Sequence, residues 1–316
     1  MSLNIIFSGL GAMGGYYGAQ AAKIAEELDG ISVHYFMREN EHGLTVKNKG
    51  IHVISPSLDF YAHPSSVCFD PSDLPEADVL VLGTKGYDTL NNLDQLKSVI
   101  TKDTIIVTTQ NGVLIPEEVK KFYPDNLIVG AACHITGRRT EPGLINIRSD
   151  RNVFKFGPYL GKGEVAKDWQ ISRLEVFYLL LKAAGVSCKL YPESHQLLND
   201  KFIMLSPSAA ATAYFDTPVG IVMQEHSSEL KSLIEELLNL YKAMDAPTES
   251  HDVEKVYSII DKMPKEATTS MHSDIAAGHN SELELLVGYV VKKAKALGID
   301  TPTYQRFYEA ICKRIS

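Results

Sequence analysis

No apolar run in this chain approaches the roughly 18 residues that a membrane span requires, so no membrane association is expected. The start also lacks the basic stretch and small-residue cleavage site of a secretory signal; Leu3 leads straight into an apolar strand. A surplus of positive charge is missing too. Lysine and arginine number 31 against 39 aspartates and glutamates, for a formal net charge of -8. This argues against a general nucleic-acid binder but leaves room for a local basic pocket. The four cysteines, Cys68, Cys133, Cys188 and Cys312, are far apart and form no CxxC pair. They fit reduced thiols in a cytoplasmic protein better than a disulfide framework. His272 and His279 have no ligand spacing with a cysteine or aspartate cluster, so no metal is assigned. There is no internal repeat and no low-complexity tract.

What is present suffices for two domains with ordinary cores: 316 residues, 45% hydrophobic and 22% charged. The chain opens with an apolar strand over residues 3–8, a glycine cluster, and an alanine-rich stretch over 12–28 that reads as a helix. Gly9, Gly11 and Gly14 form GxGxxG, a weak motif alone but a specific one between a strand and a helix. Gly9 permits the tight turn, Gly11 lets the backbone approach a pyrophosphate, and Gly14 lets helix and strand pack closely. The helix start then offers free N–H groups and a positive dipole end to the anion. Gly9, Gly11, Ala12, Met13 and Gly14 are therefore the expected cofactor contacts.

The second strand, residues 31–37, ends in Met37-Arg38 where an NAD site usually carries an acidic residue. An arginine there suits a 2′-phosphate, which favours NADP(H). Glu39 follows directly and would serve NAD. Two further buried strands end in polar tips, Thr84-Lys85 and Gln110-Asn111-Gly112. Ligands of open α/β sheets gather beyond such carboxyl ends. Lys85 could face a phosphate, a ribose or a substrate carboxylate, and Asn111 a ribose or the substrate. Asn-Gly is equally a plain turn dipeptide. A strand over 126–135 continues the sheet, residues 144–159 read as a hairpin at its edge, and Gly157–Lys167 reads as a linker.

From about Asp168 the pattern turns helical. Ile171, Leu174, Phe177, Leu181 and Ala184 recur at spacings of three and four, as do Leu230, Leu233, Leu237, Tyr241 and Met244, and Leu283, Leu286, Val290, Ala294 and Leu297. The expected fold is an α/β Rossmann-type doubly wound domain over 1–165, followed by an all-α domain over 166–316. Lys201 sits in an otherwise apolar helical stretch, as either a snorkelling surface lysine or a site residue. Ser281 and Glu284 read as a capping box, which starts a helix near Glu282. Glu282 then either complements the helix dipole or belongs to a site.

Together these pieces resemble the ketopantoate reductase (2-dehydropantoate 2-reductase) family over nearly the whole chain. The matching stretches are GLGAMGG at 9–15, TKGYDT at 84–89, TTQNGV at 108–113, DKF at 200–202, TTSMHSDIAAGHNSELE at 268–284 and GYVVKKAKALGIDTPT at 288–303. The resemblance implies NADPH-dependent reduction of a 2-oxo acid to a 2-hydroxy acid, with ketopantoate reduction serving pantothenate biosynthesis. It also implies Lys201 as the catalytic lysine, Glu282 as the catalytic-site glutamate and Ser270 as a substrate-carboxylate contact. Asn111 would be the asparagine of the cofactor cleft, Lys85 the lysine near the nicotinamide end and Arg38 the 2′-phosphate contact.

The departures lie in the substrate pocket. The family's lysine helix usually carries asparagines four and eight residues after the lysine; here those positions are Leu205 and Ala209. The Asn-Gly before an aromatic residue in a late helix is Val287-Gly288-Tyr289. Each lost neutral hydrogen bond weakens recognition of a polar substrate by about 0.5–1.5 kcal/mol. One alternative is therefore a D-2-hydroxyacid dehydrogenase for apolar, branched 2-oxo acids. Another is an NADP(H)-binding sensor without turnover, against which Lys201, Ser270 and Glu282 speak. The apolar helix faces make a homodimer plausible.

Overall fold

The computed structural model describes residues 3–249 and 252–315. They form two compact units. One runs to Gln110 and resumes over Ile115–Ser194; the other joins Asn111–Leu114 to the chain from His195 onward.

The first unit begins β1 (Leu3–Ser8), α1 (Ala12–Ala25), β2 (Ile31–Phe36), α2 (Glu41–Lys49), β3 (Ile51–Ile54), β4 (Asp59–Ala62), β5 (Ser66–Cys68) and β6 (Val79–Leu82). It continues with α3 (Thr89–Gln95), β7 (Ile105–Thr108), α4 (Leu114–Phe122), β8 (Ile128–His134), β9 (Gly137–Glu141), β10 (Leu144–Ile147), β11 (Val153–Pro158), α5 (Asp168–Ala183) and β12 (Ser187–Leu190). One sheet has the order β12-β11-β8-β7-β6-β1-β2-β5. Its pairs from β5 to β8 are parallel, and β11 runs antiparallel to β8. Strands covered on both faces need continuous apolar runs, and Val79–Leu82 and Ile105–Thr108 are buried throughout. The winding reverses between β1 and β6, where the carboxyl ends open a ligand crevice in such sheets.

Two expectations for this unit need correction. Residues 144–159 are not a hairpin at the sheet's edge. β11 joins the main sheet, whereas β10 lies in a second sheet of order β4-β3-β10-β9. The second sheet packs on α1, where a side chain at Gly15 would strike Ile145 at 2.9 Å and Ile51 at 3.2 Å. The domain boundary expected at 165/166 falls instead after Ser194. The physical reason is the apolar face of α5. Phe177 lies 6.5 Å from Phe7 and 5.7 Å from Phe156, ring centre to ring centre, and Leu174, Leu180 and Leu181 share that core. β12 then pairs with β11, so the chain from 166 to 194 completes the first unit.

The second unit is helical: α6 (His195–Phe215), α7 (Val219–Glu225), α8 (Ser227–Ala243), α9 (Val253–Asp261), α10 (Ser270–Ala276), α11 (Tyr289–Leu297) and α12 (Pro302–Ile315). Helices α7, α8, α9, α10 and α12 all pack on α6, whose residues Ser206–Ala213 are buried. The stripe Leu230, Leu233, Leu237 and Tyr241 is buried as its spacing predicts. The buried Glu236 carboxylate accepts the Thr303 and Tyr304 N–H groups at 2.9 and 3.0 Å, which caps the start of α12. The capping box at Ser281 and Glu284 gives way to another arrangement. Residues Glu284–Gly288 form a π-turn that leads into α11, and the Glu284 carboxylate accepts from Lys292 and Tyr308. Among the described residues no helix is long and apolar enough to cross a membrane.

Candidate active site

The glycine turn between β1 and α1 has the shape a pyrophosphate needs. Gly9 stands at φ +85°, and an added Cβ there would meet the Thr84 nitrogen at 2.4 Å. At Gly14 it would meet the Gly9 oxygen at 2.2 Å. Gly83, at the tip of β6, completes the contact: its Cβ would lie 2.6 Å from the Gly9 oxygen and 2.9 Å from the Gly14 Cα. Three backbones thus meet where none carries a side chain. Gly83 went unnoticed in the sequence, although a glycine that directly ends a buried strand beside this motif was the available signal. Gly11 is exposed, with no heavy atom within 4 Å of the space a Cβ would take. It is also the N-cap of α1, whose first turn receives no side-chain cap. Ala12 and Met13 are half-buried in that first turn. An open backbone surface at an uncapped helix start fits a dinucleotide phosphate.

The neighbouring tips carry the other expected cofactor residues. Arg38, just beyond β2, is exposed, and its guanidinium meets Asp88 at 3.1 Å. Lys85 is exposed at the start of the short turn Gly86–Asp88. Gln110 locks the tips of β6 and β7, because its Nε2 donates to the Leu82 and Thr84 carbonyls at 2.9 and 3.1 Å. Its buried Oε1 has no partner among the described residues.

In the second unit the chain brings three distant residues together. Lys201, half-buried on α6, donates from Nζ to Asn111 Oδ1 at 2.8 Å. Asn111 Nδ2 in turn donates to Glu282 Oε2 at 3.3 Å. The amide orientation follows from the chemistry, since an ammonium can only donate and a carboxylate can only accept. Glu282 is 4% exposed and precedes the π-turn; its carbonyl accepts from the Leu285 and Leu286 N–H groups. Gly112 follows Asn111 at φ +101°, and a side chain there would face Leu285, Leu286 and Phe202. π-turns often mark functional positions in helices. Here Ser206 Oγ donates to the Leu286 carbonyl at 2.7 Å, which anchors the turn to α6.

Ser270 is exposed at the first position of α10, behind the N-cap Thr269. Leu205 lies one helical turn beyond Lys201 on the same face and is half-buried, whereas Ala209 and Val287 are fully buried. No group of three or more His, Cys, Asp or Glu side chains that could hold a metal occurs among the described residues.

Comparison with known proteins agrees over the whole chain. The family model described as Ketopantoate reductase PanE/ApbA matches residues 5–161, and Ketopantoate reductase PanE/ApbA C terminal matches 195–314. A crystal structure of 2-dehydropantoate 2-reductase from Porphyromonas gingivalis W83 is 31% identical, with TM-score 0.84, covering 99% of this chain and 100% of that one. The 2-dehydropantoate 2-reductase of Nostoc sp. is 24% identical over 96% of this chain and 92% of its own. The ternary structure of D-mandelate dehydrogenase with NADH and anilino(oxo)acetate shares the fold, with 18% identity and TM-score 0.82 over 99% of this chain and 98% of that one.

Proposed function

Since the chain belongs to the ketopantoate reductase family and is an oxidoreductase of that type, we propose that it reduces 2-dehydropantoate to pantoate with NADPH, a step of pantothenate biosynthesis. The observation that carries this reading is the Lys201–Asn111–Glu282 chain, an ammonium and a buried carboxylate joined through one amide. Bound on the glycine turn, the cofactor supplies the hydride that makes the oxo carbon a hydroxyl-bearing carbon. Lys201 donates a hydrogen bond to the carbonyl oxygen as negative charge develops there, and then a proton. Asn111 fixes the direction of the ammonium through the acceptor side of its amide. Glu282 fixes the amide through the donor side. Ser270 is the proposed contact for the substrate carboxylate.

Arg38 is the proposed 2′-phosphate contact. A hydrogen bond between charged groups contributes about 1.5–3 kcal/mol when desolvated. The exposure of Arg38 reduces this toward the lower end. Arg38→Ala is expected to weaken NADPH binding about tenfold and to leave NADH binding nearly unchanged. Titration of both cofactors by fluorescence checks this; equal losses for both would remove the assignment.

A second reading keeps the chemistry and changes the substrate. Leu205 stands one turn from Lys201, where the family's asparagine would meet a polar substrate, and it favours an apolar, branched 2-oxo acid. The test is NADPH consumption at 340 nm across 2-dehydropantoate and a panel of apolar 2-oxo acids. Preference for 2-dehydropantoate supports the first reading and preference for an apolar acid the second. Cofactor binding with no turnover of any of them would favour a sensor. Under the second reading, Leu205→Asn should move kcat/KM toward 2-dehydropantoate by about three- to tenfold, the worth of one neutral hydrogen bond. An unchanged ratio between substrates would take Leu205 out of the pocket.

A further inference from the structure

The carbonyl of Leu10 lies between Gly9 and Gly11, in the middle of the turn proposed to carry the cofactor phosphate. Its partner is the imidazole of His42, on the first turn of α2, with Nε2 at 2.9 Å. The other ring nitrogen, Nδ1, lies 2.8 Å from the Gly143 N–H, in the turn that joins β9 to β10. The two bonds determine the proton's place. A carbonyl only accepts, so Nε2 carries the hydrogen; a backbone N–H only donates, so Nδ1 carries none. His42 is 7% exposed and Leu10 4%, so water cannot readily substitute for either bond. The ring thus ties the glycine turn, α2 and the second sheet to one another.

We propose that His42, as a neutral imidazole, is a positioning residue for the cofactor: it holds the Leu10 carbonyl and thereby keeps the Gly9–Gly11 turn in its phosphate-binding shape. A turn with glycine on both sides of Leu10 has a large conformational freedom to lose, and a buried donor on the intervening carbonyl removes much of it beforehand. Burial pushes the His42 pKa below the usual imidazole value, and Arg139 of β9 acts in the same direction, against the Leu10 bond, which raises it. The ring is therefore neutral at pH 7; below the lowered value the added proton falls on Nδ1, which ends the Gly143 bond, while Nε2 goes on donating to Leu10. The inference rests on the dinucleotide reading of the turn.

Two substitutions separate the ring's two bonds. His42→Gln places an amide donor near Nε2 and can keep the Leu10 bond; His42→Asn reaches only the Nδ1 position and can keep only the Gly143 bond. The measurement is the dissociation constant for NADP⁺ without substrate, from pH 5 to 8, with the unfolding midpoint recorded alongside. His42→Asn and His42→Ala are expected to weaken binding roughly tenfold at pH 7, and His42→Gln much less. The ratio of His42→Gln to unaltered protein, in which titration of the 2′-phosphate cancels, should stay nearly constant as the pH falls, because the protonated ring still donates to Leu10. Lowered unfolding midpoints with unchanged NADP⁺ binding would make His42 merely structural and overturn the inference. Equal loss of binding in His42→Gln and His42→Asn would do the same. Failure of the unaltered protein to bind NADP⁺ or NADPH is a separate outcome, which would overturn the dinucleotide reading and this inference with it.

Discussion

Lys201→Ala should lower kcat about 10²–10⁴-fold, the usual contribution of a positioned general acid, while the dissociation constant for NADPH stays nearly the same. The reason lies in where the side chain spends its hydrogen bonds. Its ammonium is directed by Asn111 Oδ1 at 2.8 Å, and that amide is set by Glu282. The proposed role is exercised only when charge develops on the substrate oxygen, so removal affects the transition state more than the cofactor complex. Alanine also leaves Asn111 Oδ1 without its ammonium, and some loss of order around Asn111 follows. Steady-state kinetics with the preferred 2-oxo acid, together with cofactor titration, separates the two effects. An equal loss in turnover and in NADPH affinity would place Lys201 in cofactor binding and end its assignment as the acid.

Gly9→Ala is expected to abolish NADPH binding in any practical range and to destabilise the first unit by about 2–5 kcal/mol. Two independent costs add. The residue stands at φ +85°, where a side chain costs about 1–2 kcal/mol. Its Cβ would also fall 2.4 Å from the Thr84 nitrogen and 2.6 Å from the Gly83 carbonyl carbon, both backbone atoms of the adjacent strand tip. Relief requires β1 and β6 to part at their carboxyl ends, an overpacking cost of about 1–3 kcal/mol. The same movement displaces the turn that would hold the phosphate. A urea titration and a cofactor titration of the variant read the two consequences. Native stability with native NADPH affinity would mean that the turn tolerates a side chain, against the close packing described above.

How much of this was visible in the sequence depended on how local the signal was. The glycine turn was legible because its spacing, strand and helix lie within one short stretch. The apolar stripe of α8 was legible because helical burial repeats every three or four residues. The period of residues 171–184 was equally clear, yet it said nothing of what that helix packs on. Phe7, Phe156 and Phe177 meet only in the fold, so α5 was assigned to the wrong unit. β3 and β10 pair across about ninety residues, and four short strands at that separation leave no pattern of a sheet. The capping box failed because its glutamate had stronger partners in Lys292 and Tyr308. Lys201 and Glu282 each had a bland reading on local evidence. What brings them into one chain is Asn111, which lies 90 residues from one and 171 from the other. His42 carried no signal at all, because its partners are two backbone groups that any residues could supply.

The measurement closest to the central claim is transfer of deuterium from NADPH labelled at both C4 hydrogens to the 2-oxo acid, read by mass spectrometry of the product. The account predicts one deuterium on C2 of a 2-hydroxy acid, formed in step with cofactor oxidation and reduced about 10²–10⁴-fold in rate by Lys201→Ala. Cofactor oxidation that leaves the product unlabelled at C2, or labelled product formed as fast without Lys201, would contradict it.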